Sequence, residues 1–336
     1  MQKLLYAIGG LIVVLIVIGL ALPRHARVVS EIRIDAYPAT VFSLANDFRR
    51  VRLWSTLVEA DPNARILFSG PSRGEGAAMA WDGQVIGSGT QLIVNSEPHT
   101  LIETTINPGE PGEARTRFEV VAEAGETFVR WTFEADYGFN LVGRYFALMA
   151  AGIIRRDHNN GLENLRELAE SLPRIDFSDL EIERLVVEAS DIAYLRVASR
   201  PEPAAMSEGL GDAYFEVLNF IDRHGLTEAG APLAIARSFS GSELLFDAAI
   251  PVRGVTDSTP RDNATVKIGK THAGSVIRVR HTGPYRSLAN THRKISAYLS
   301  ALGIERNGAS WESYTSDPTK VAEGDLVTYV YYPIIE

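Results

Sequence analysis

The residues whose types and spacing bear most directly on chemistry are one acid and a set of aromatic rings near the C-terminus. Trp311-Glu312-Ser313-Tyr314 and Thr328-Tyr329-Val330-Tyr331-Tyr332 both read as strands. Side chains alternate along a strand, so Glu312 and Tyr314 share one face, and Tyr329 and Tyr331 likewise share one. Turned toward a common groove, the two pairs would set a single carboxylate among aromatic rings. Such a cage suits a cationic aromatic ligand, because a buried carboxylate gains from a paired charge and each ring face adds about 0.5 to 2 kcal/mol. In the N-terminal half, Trp54 and Trp81 are the candidate wall residues of an apolar pocket.

Other chemistries lack their residues. The chain has no cysteine, which excludes disulfides, thiolate metal sites and a cysteine nucleophile. Its seven histidines include no i, i+4 pair and no H-E-x-x-H, so no metal site is expected. No G-x-S-x-G elbow occurs, and no catalytic residue or cofactor is nominated. Gly74-x-Gly76 lacks the third glycine and the strand-turn-helix setting of a dinucleotide loop. His281, beside a Gly-Pro turn, reads as structural, and Arg155-Arg156-Asp157-His158 reads as a solvated stretch at the start of a helix. A net charge of -9 argues against nucleic acid, whose binders draw affinity from a basic face.

The elements that must position these residues fall into three parts. Residues 4 to 22 form an uncharged run of nineteen residues between Lys3 and Pro23-Arg24. As a helix it would span about 28 Å, close to a bilayer's hydrocarbon thickness. The expectation is a single-pass anchor in the cell membrane over residues 1–27 with its flank. The arginines at 24, 27 and 33 lean toward a cytoplasmic C-terminal part.

Residues 28–171 then read as an antiparallel meander. Strands are expected at 29–35, 78–84, 90–95, 101–106, 116–122 and 127–135, with Pro38 opening a short helix. A long helix closes the unit with Leu162, Leu165, Leu168 and Leu172 on one stripe. The opening Ile34 and Pro38 to Phe42, Trp54-Ser55, the Gly70/Gly74/Gly76 to Trp81 run, Gly89, Pro98, Thr127 to Thr132 and Gly161-Leu162-x-x-Leu165 resemble the SRPBCC superfamily. The likeness is to its polyketide-cyclase/dehydrase branch, related in fold to START domains. It implies a helix-grip fold with an apolar cavity between the sheet and a roofing helix, here about Leu141 to Leu172.

Pro173 lies in a linker over 172–181, and the stretch 182–336 repeats itself as strand, helix, strand, strand over about 182–255 and 262–336. Phe246 to Val252 lies over Thr328 to Ile334. One half alone leaves a sheet face and an edge uncovered, so the halves should pair about a pseudo-two-fold axis with a pocket between them. His281-Thr282-Gly283-Pro284-Tyr285, Trp311-Glu312-Ser313-Tyr314, Asp317-Pro318 and Thr328 to Ile334 resemble the GyrI-like effector-binding family. Tyr329 stands where that family's final strand ordinarily carries Glu, the acid on which hydrolytic relatives rely. No helix-turn-helix accompanies the domain.

The fold class expected is thus α+β: a transmembrane helix, a helix-grip domain and a duplicated β-α-β-β domain. The function expected is membrane-anchored binding or sensing of small hydrophobic or cationic molecules through two pockets. Hydrolase or cyclase-like catalysis is the alternative, and lipid handling or scaffolding the second.

Overall fold

The computed structural model describes residues 2–109, 113–200, 202–257, 259 and 265–335. The expected start of the second repeat at 262 and the terminal residue 336 lie outside them. The chain forms two compact α+β units, one up to Ser178 and one built on Asp179–Leu299 and Ile304–Glu336.

The first unit runs α1 (Gln2–Ala21), β1 (His25–Ile34), α2 (Pro38–Ala45), α3 (Phe48–Val51), α4 (Leu57–Ala60), β2 (Arg65–Ser69), β3 (Ala78–Gly83), β4 (Gly87–Glu97), β5 (Leu101–Ile106), β6 (Ala114–Glu123), β7 (Glu126–Asp136) and α5 (Leu141–Glu170). Its seven strands form one antiparallel sheet in the order β1-β7-β6-β5-β4-β3-β2. Alternation along the strands turns Met79, Ile93, Ile102, Phe118, Val120 and Val129 inward, where Leu162, Leu165 and Ala169 of α5 cover them. Pro38 at the first turn of α2 needs no N–H partner, and that helix is buried almost throughout.

The N-terminal run is helical, but the expected membrane span is corrected. Among the described residues, no helix is long and apolar enough to cross a membrane. The N-terminal helix itself runs from Gln2 to Ala21. Its last turns are also held by polar groups of α5. The Tyr145 hydroxyl donates to the Leu15 carbonyl at 2.6 Å. The buried Arg144 guanidinium donates to the carbonyls of Gly19, Leu20 and Leu22 at 3.1 to 3.3 Å, satisfying acceptors that a helix end leaves open. Leu11, Val13, Val17 and Leu20 of this helix are exposed. The single-pass location and its cytoplasmic orientation fall with the span.

The second unit runs β8 (Ile182–Val187), β9 (Asp191–Ser199), α6 (Pro203–Arg223), β10 (Thr227–Glu228), β11 (Leu233–Phe239), β12 (Leu244–Arg253), β13 (Lys267–Lys270), β14 (Gly274–Thr282), α7 (Leu288–Leu302), β15 (Trp311–Tyr314) and β16 (Val327–Pro333). The sheet order is β13-β9-β12-β11-β15-β16-β14-β8, with β10 beside β12. The order β9-β12-β11 is mirrored by β14-β16-β15, and the halves join where β11 pairs with β15. The leading strands are exchanged: β8 pairs with β14 and β13 with β9.

Both helices lie on one sheet face. Val217, Phe220 and Ile221 of α6 pack on Ala193, Ile250 and Val252. Leu288, Ile295 and Leu299 of α7 pack on Ile277, Val279 and Val330. The other face buries Ile192, Leu233, Ile235, Ala249, Val276 and Trp311. Hydrogen bonds from the Thr271 amide to the Ser190 carbonyl and from the Ser190 amide to the Thr271 hydroxyl, at 2.9 and 2.8 Å, bring the turns after β8 and β13 together.

Candidate functional site

In the first unit a cavity of about 260 Å³ lies between the sheet and α5, and both Trp54 and Trp81 line it. Trp54 is held by its indole N–H, which donates to the Leu44 carbonyl at 3.1 Å, and by edge contact with Trp131 at 5.7 Å between centroids. Trp81 lies across the strand pair from Gly89, and a side chain at 89 would overlap its ring. That glycine leaves the indole a flat seat. Ile154, Asp157 and His158 form the α5 side of the wall.

His158 departs from the solvated reading of its segment. It is buried, with its ring parallel to Trp131 at 3.7 Å between centroids. It lies on the sheet-facing side of the helix while Arg155 and Arg156 are exposed. Burial pushes its pKa down to about 4, which keeps the imidazole neutral at pH 7.

In the second unit, Glu312 is positioned by sheet register. Leu195, Ala248, Ala234, Glu312, Val330 and Val279 stand side by side across β9, β12, β11, β15, β16 and β14. One carboxylate thus occupies a row of apolar side chains on the helix-covered face, next to the small Ala234. Its oxygens accept from His292 Nε2 on α7 at 2.8 Å and from the Tyr314 hydroxyl. The other nitrogen of His292 bonds the Tyr332 hydroxyl at 2.8 Å.

Tyr285 meets Tyr314 edge to face at 5.2 Å. Tyr214, on α6, has a buried hydroxyl with no hydrogen-bond partner among the described residues. Burial first, and then the Glu312 charge, raise the pKa of Tyr214 and Tyr314. Burial, Asp317 and Glu312 raise that of Tyr285. All three phenols therefore keep their protons at neutral pH and present donors beside a carboxylate.

The register corrects the expected grouping of rings. Trp311 stands opposite Tyr331 and Ser313 opposite Tyr329, while Glu312 stands opposite Val330. Tyr329 and Tyr331 therefore lie on the face away from Glu312. There Tyr331 stacks on Trp311 at 4.8 Å, and Tyr329 lies under the Arg278 guanidinium. The rings that do gather near Glu312 are Tyr214, Tyr285, Tyr314 and Tyr332. His292 carried a readable signal, since it falls on the apolar stripe of Leu288, Ile295 and Leu299 along α7. Tyr214 carried none, because α6 meets β15 only through the joined halves.

A hydroxyl and an imidazole also meet at Ser287 and His281, 3.1 Å apart. The serine hydroxyl donates to the Pro284 carbonyl at 2.6 Å, so its proton is not offered to the ring. His281 is tied on its other side to Thr291 at 2.8 Å. This pair braces the turn before α7 and leaves no activated nucleophile.

Comparison with known proteins follows the same division. Residues 25–170 match the family described as polyketide cyclase/dehydrase and lipid transport. Residues 206–335 match the GyrI-like small-molecule-binding domain. No curated protein matches the chain. Among solved structures, the EcmrR C-terminal domain is 14% identical over 47% of this chain and 99% of its own, with a TM-score of 0.39. A hydrolase from Listeria innocua is 16% identical over 46% and 91%, with a TM-score of 0.35. Ara h 8.0201 is 13% identical over 44% and 99%, with a TM-score of 0.32. The family models thus match in tandem, the polyketide cyclase/dehydrase and lipid-transport family first and the GyrI-like small-molecule-binding domain second.

Proposed function

We propose that the protein is a binder of small molecules with two different pockets, the second of which takes a compact cationic aromatic ligand against Glu312. The observation that carries this reading is the placement of a carboxylate, 15% exposed, in an apolar sheet row beneath two helices, with tyrosine rings around it. A desolvated carboxylate is costly unless paired, and here hydrogen bonds from Tyr314 and His292 hold it in place, with no lysine or arginine partner among the described residues. A cation between the rings would supply the missing charge, with the phenol faces adding cation-π attraction. The first pocket, walled by Trp54, Trp81 and Trp131, suits an apolar molecule.

Binding of a cationic dye and a neutral dye of the same shape, to the protein and to its Glu312→Gln variant, tests the reading. Cationic binding weakened several-fold by the substitution, with neutral binding unchanged, is expected. Equal affinity for the two dyes, insensitive to the substitution, overturns it. Turnover of the bound dye would move the assignment to an enzyme.

A further inference from the structure

We propose that the Glu312 site exchanges a proton for its ligand: in the free protein the imidazolium of His292 neutralises the carboxylate, and a cationic ligand takes over that role as the ring gives up its proton. This rests on the reading of Glu312 as the anchor of a cation, and adds the ion to which binding is coupled.

His292 Nε2 lies 2.8 Å from Glu312 Oε1, and the other carboxylate oxygen accepts from the Tyr314 hydroxyl. Among the described residues the imidazole is the acid's basic partner. Both side chains reach solvent, the imidazole being 27% and the carboxylate 15% exposed. A ligand can therefore meet either.

The ring can carry or release its second proton without losing a bond. Its Nδ1 lies 2.8 Å from the Tyr332 hydroxyl, and a phenol donates to a neutral ring nitrogen or accepts from a protonated one. Nε2 keeps its hydrogen for Glu312 in both states. The change is one of charge, with α7, β15 and β16 left in place.

The neighbouring groups leave this role to His292. Glu312 and Tyr314 face it from β15 and Tyr332 from β16, with the Arg306 guanidinium 4.8 Å from the Tyr332 ring. Tyr285, and Tyr214 from α6, lie in the field of Glu312. Burial raises the pKa of these four phenols, so they keep their protons, and the guanidinium keeps its charge. His281 on β14 feels both Glu312 and His292, but burial lowers its pKa and its two nitrogens are held by Thr291 and Ser287. His292 is the base in direct contact with the acid.

Charge sets the sign of the coupling. A ligand cation and an imidazolium on one carboxylate leave a net positive charge in an apolar row, which is costly, whereas either alone leaves the site neutral. Imidazole is the side chain whose charge ordinarily changes between pH 5 and 8. Binding releases a proton, so affinity rises with pH, and it falls by up to about tenfold per pH unit where the ring is charged. A weakly basic ring nitrogen gains its charge only where the imidazole has gained its own. The site therefore selects a permanent aromatic cation.

The test titrates the full-length protein with 1-methylquinolinium and its neutral isostere 1-methylnaphthalene by calorimetry from pH 8 to 5.5, and repeats the series on His292→Gln and Glu312→Gln. Glutamine at 292 can still donate to the carboxylate and cannot become charged. The expected result is a fall of about tenfold in affinity for the cation across this range, a level affinity for the neutral probe, and no fall in His292→Gln. Heats measured at pH 6 in phosphate and in Bis-Tris, buffers of unlike ionisation heat, should show proton release on binding in the original protein, which needs no variant.

Level affinity for the cation with no proton released overturns the exchange, and loss of that binding in Glu312→Gln then leaves the acidic site standing. A fall that survives in His292→Gln overturns it as well and assigns the proton to another group. No binding of the cation at any pH, or equal binding in Glu312→Gln, overturns the underlying reading too.

Discussion

The imidazole of His292 donates from Nε2 to the Glu312 carboxylate across 2.8 Å, from α7 to β15, so the acid in the apolar row is partnered from within the protein. A cationic ligand must share that carboxylate with the ring. Replacing His292 by leucine should therefore leave the carboxylate less satisfied and raise affinity for a cationic dye, while costing about 1 to 3 kcal/mol of the domain's stability. Calorimetric titration and thermal melting of the variant measure the two effects. A fall in affinity would mean that the imidazole itself contacts the ligand.

A second acid tests the frame of the sheet. Asp247 on β12 is fully buried and takes hydrogen bonds from Arg196 at 2.7 and 3.2 Å and from Arg237 at 2.7 Å. Removing one member of a fully buried ion pair costs about 3 to 5 kcal/mol. Here the two guanidiniums reach solvent and can rehydrate, being 51% and 35% exposed. Asp247→Asn should accordingly cost less, about 1 to 3 kcal/mol, read by denaturant melting of the second domain.

Gly89 tests the wall of the first cavity. Alanine there overlaps the Trp81 ring, and overpacking of this kind costs about 1 to 3 kcal/mol. The indole has to swing away from its seat. Gly89→Ala should alter the tryptophan emission spectrum and weaken binding of apolar probes to the cavity. Unchanged emission and binding would show that Trp81 does not shape it.

The pH dependence of the first domain follows from His158. Its pKa of about 4 in the folded protein lies below the roughly 6.5 of a solvated imidazole, so between those values the unfolded chain binds the proton and the folded one does not. Stability is full above about pH 6.5 and falls as pH drops toward 4, by as much as about 3 kcal/mol from this group. His99, whose pKa burial also lowers, adds in the same direction. Denaturant titrations from pH 7.5 to 4.5 should show a shallower slope in His158→Phe than in the original protein.

Local pattern made the architecture readable, and tertiary placement hid much of the site. The α+β class with two antiparallel sheets follows from alternation along short strands and from the leucine stripe of α5, because each of these is a property of neighbouring residues. The parity of β16 is not. Tyr329, Tyr331 and Tyr332 offer rings to both faces, and a one-residue change of register exchanges the faces. The pairing of Glu312 with Val330 decides it, and that depends on where β15 begins. The same limit hid His158. The charges at 155–157 give its segment a solvated look, and only the packing of α5 on Trp131 shows that this position faces inward.

The exchange of leading strands in the second domain bears on how such a domain can come apart. Each repeat lends its first strand to the other, β8 to β14 and β13 to β9, so neither repeat holds a complete set of its own pairings. A fragment cut between the repeats would keep β8 without its partner strand, and β9 would lose the neighbour on its outer edge. Two such fragments could satisfy one another by reciprocal strand donation, in the manner of a swapped dimer. The covalent chain then serves as a tether, holding at high effective concentration two halves that would otherwise have to find each other in solution.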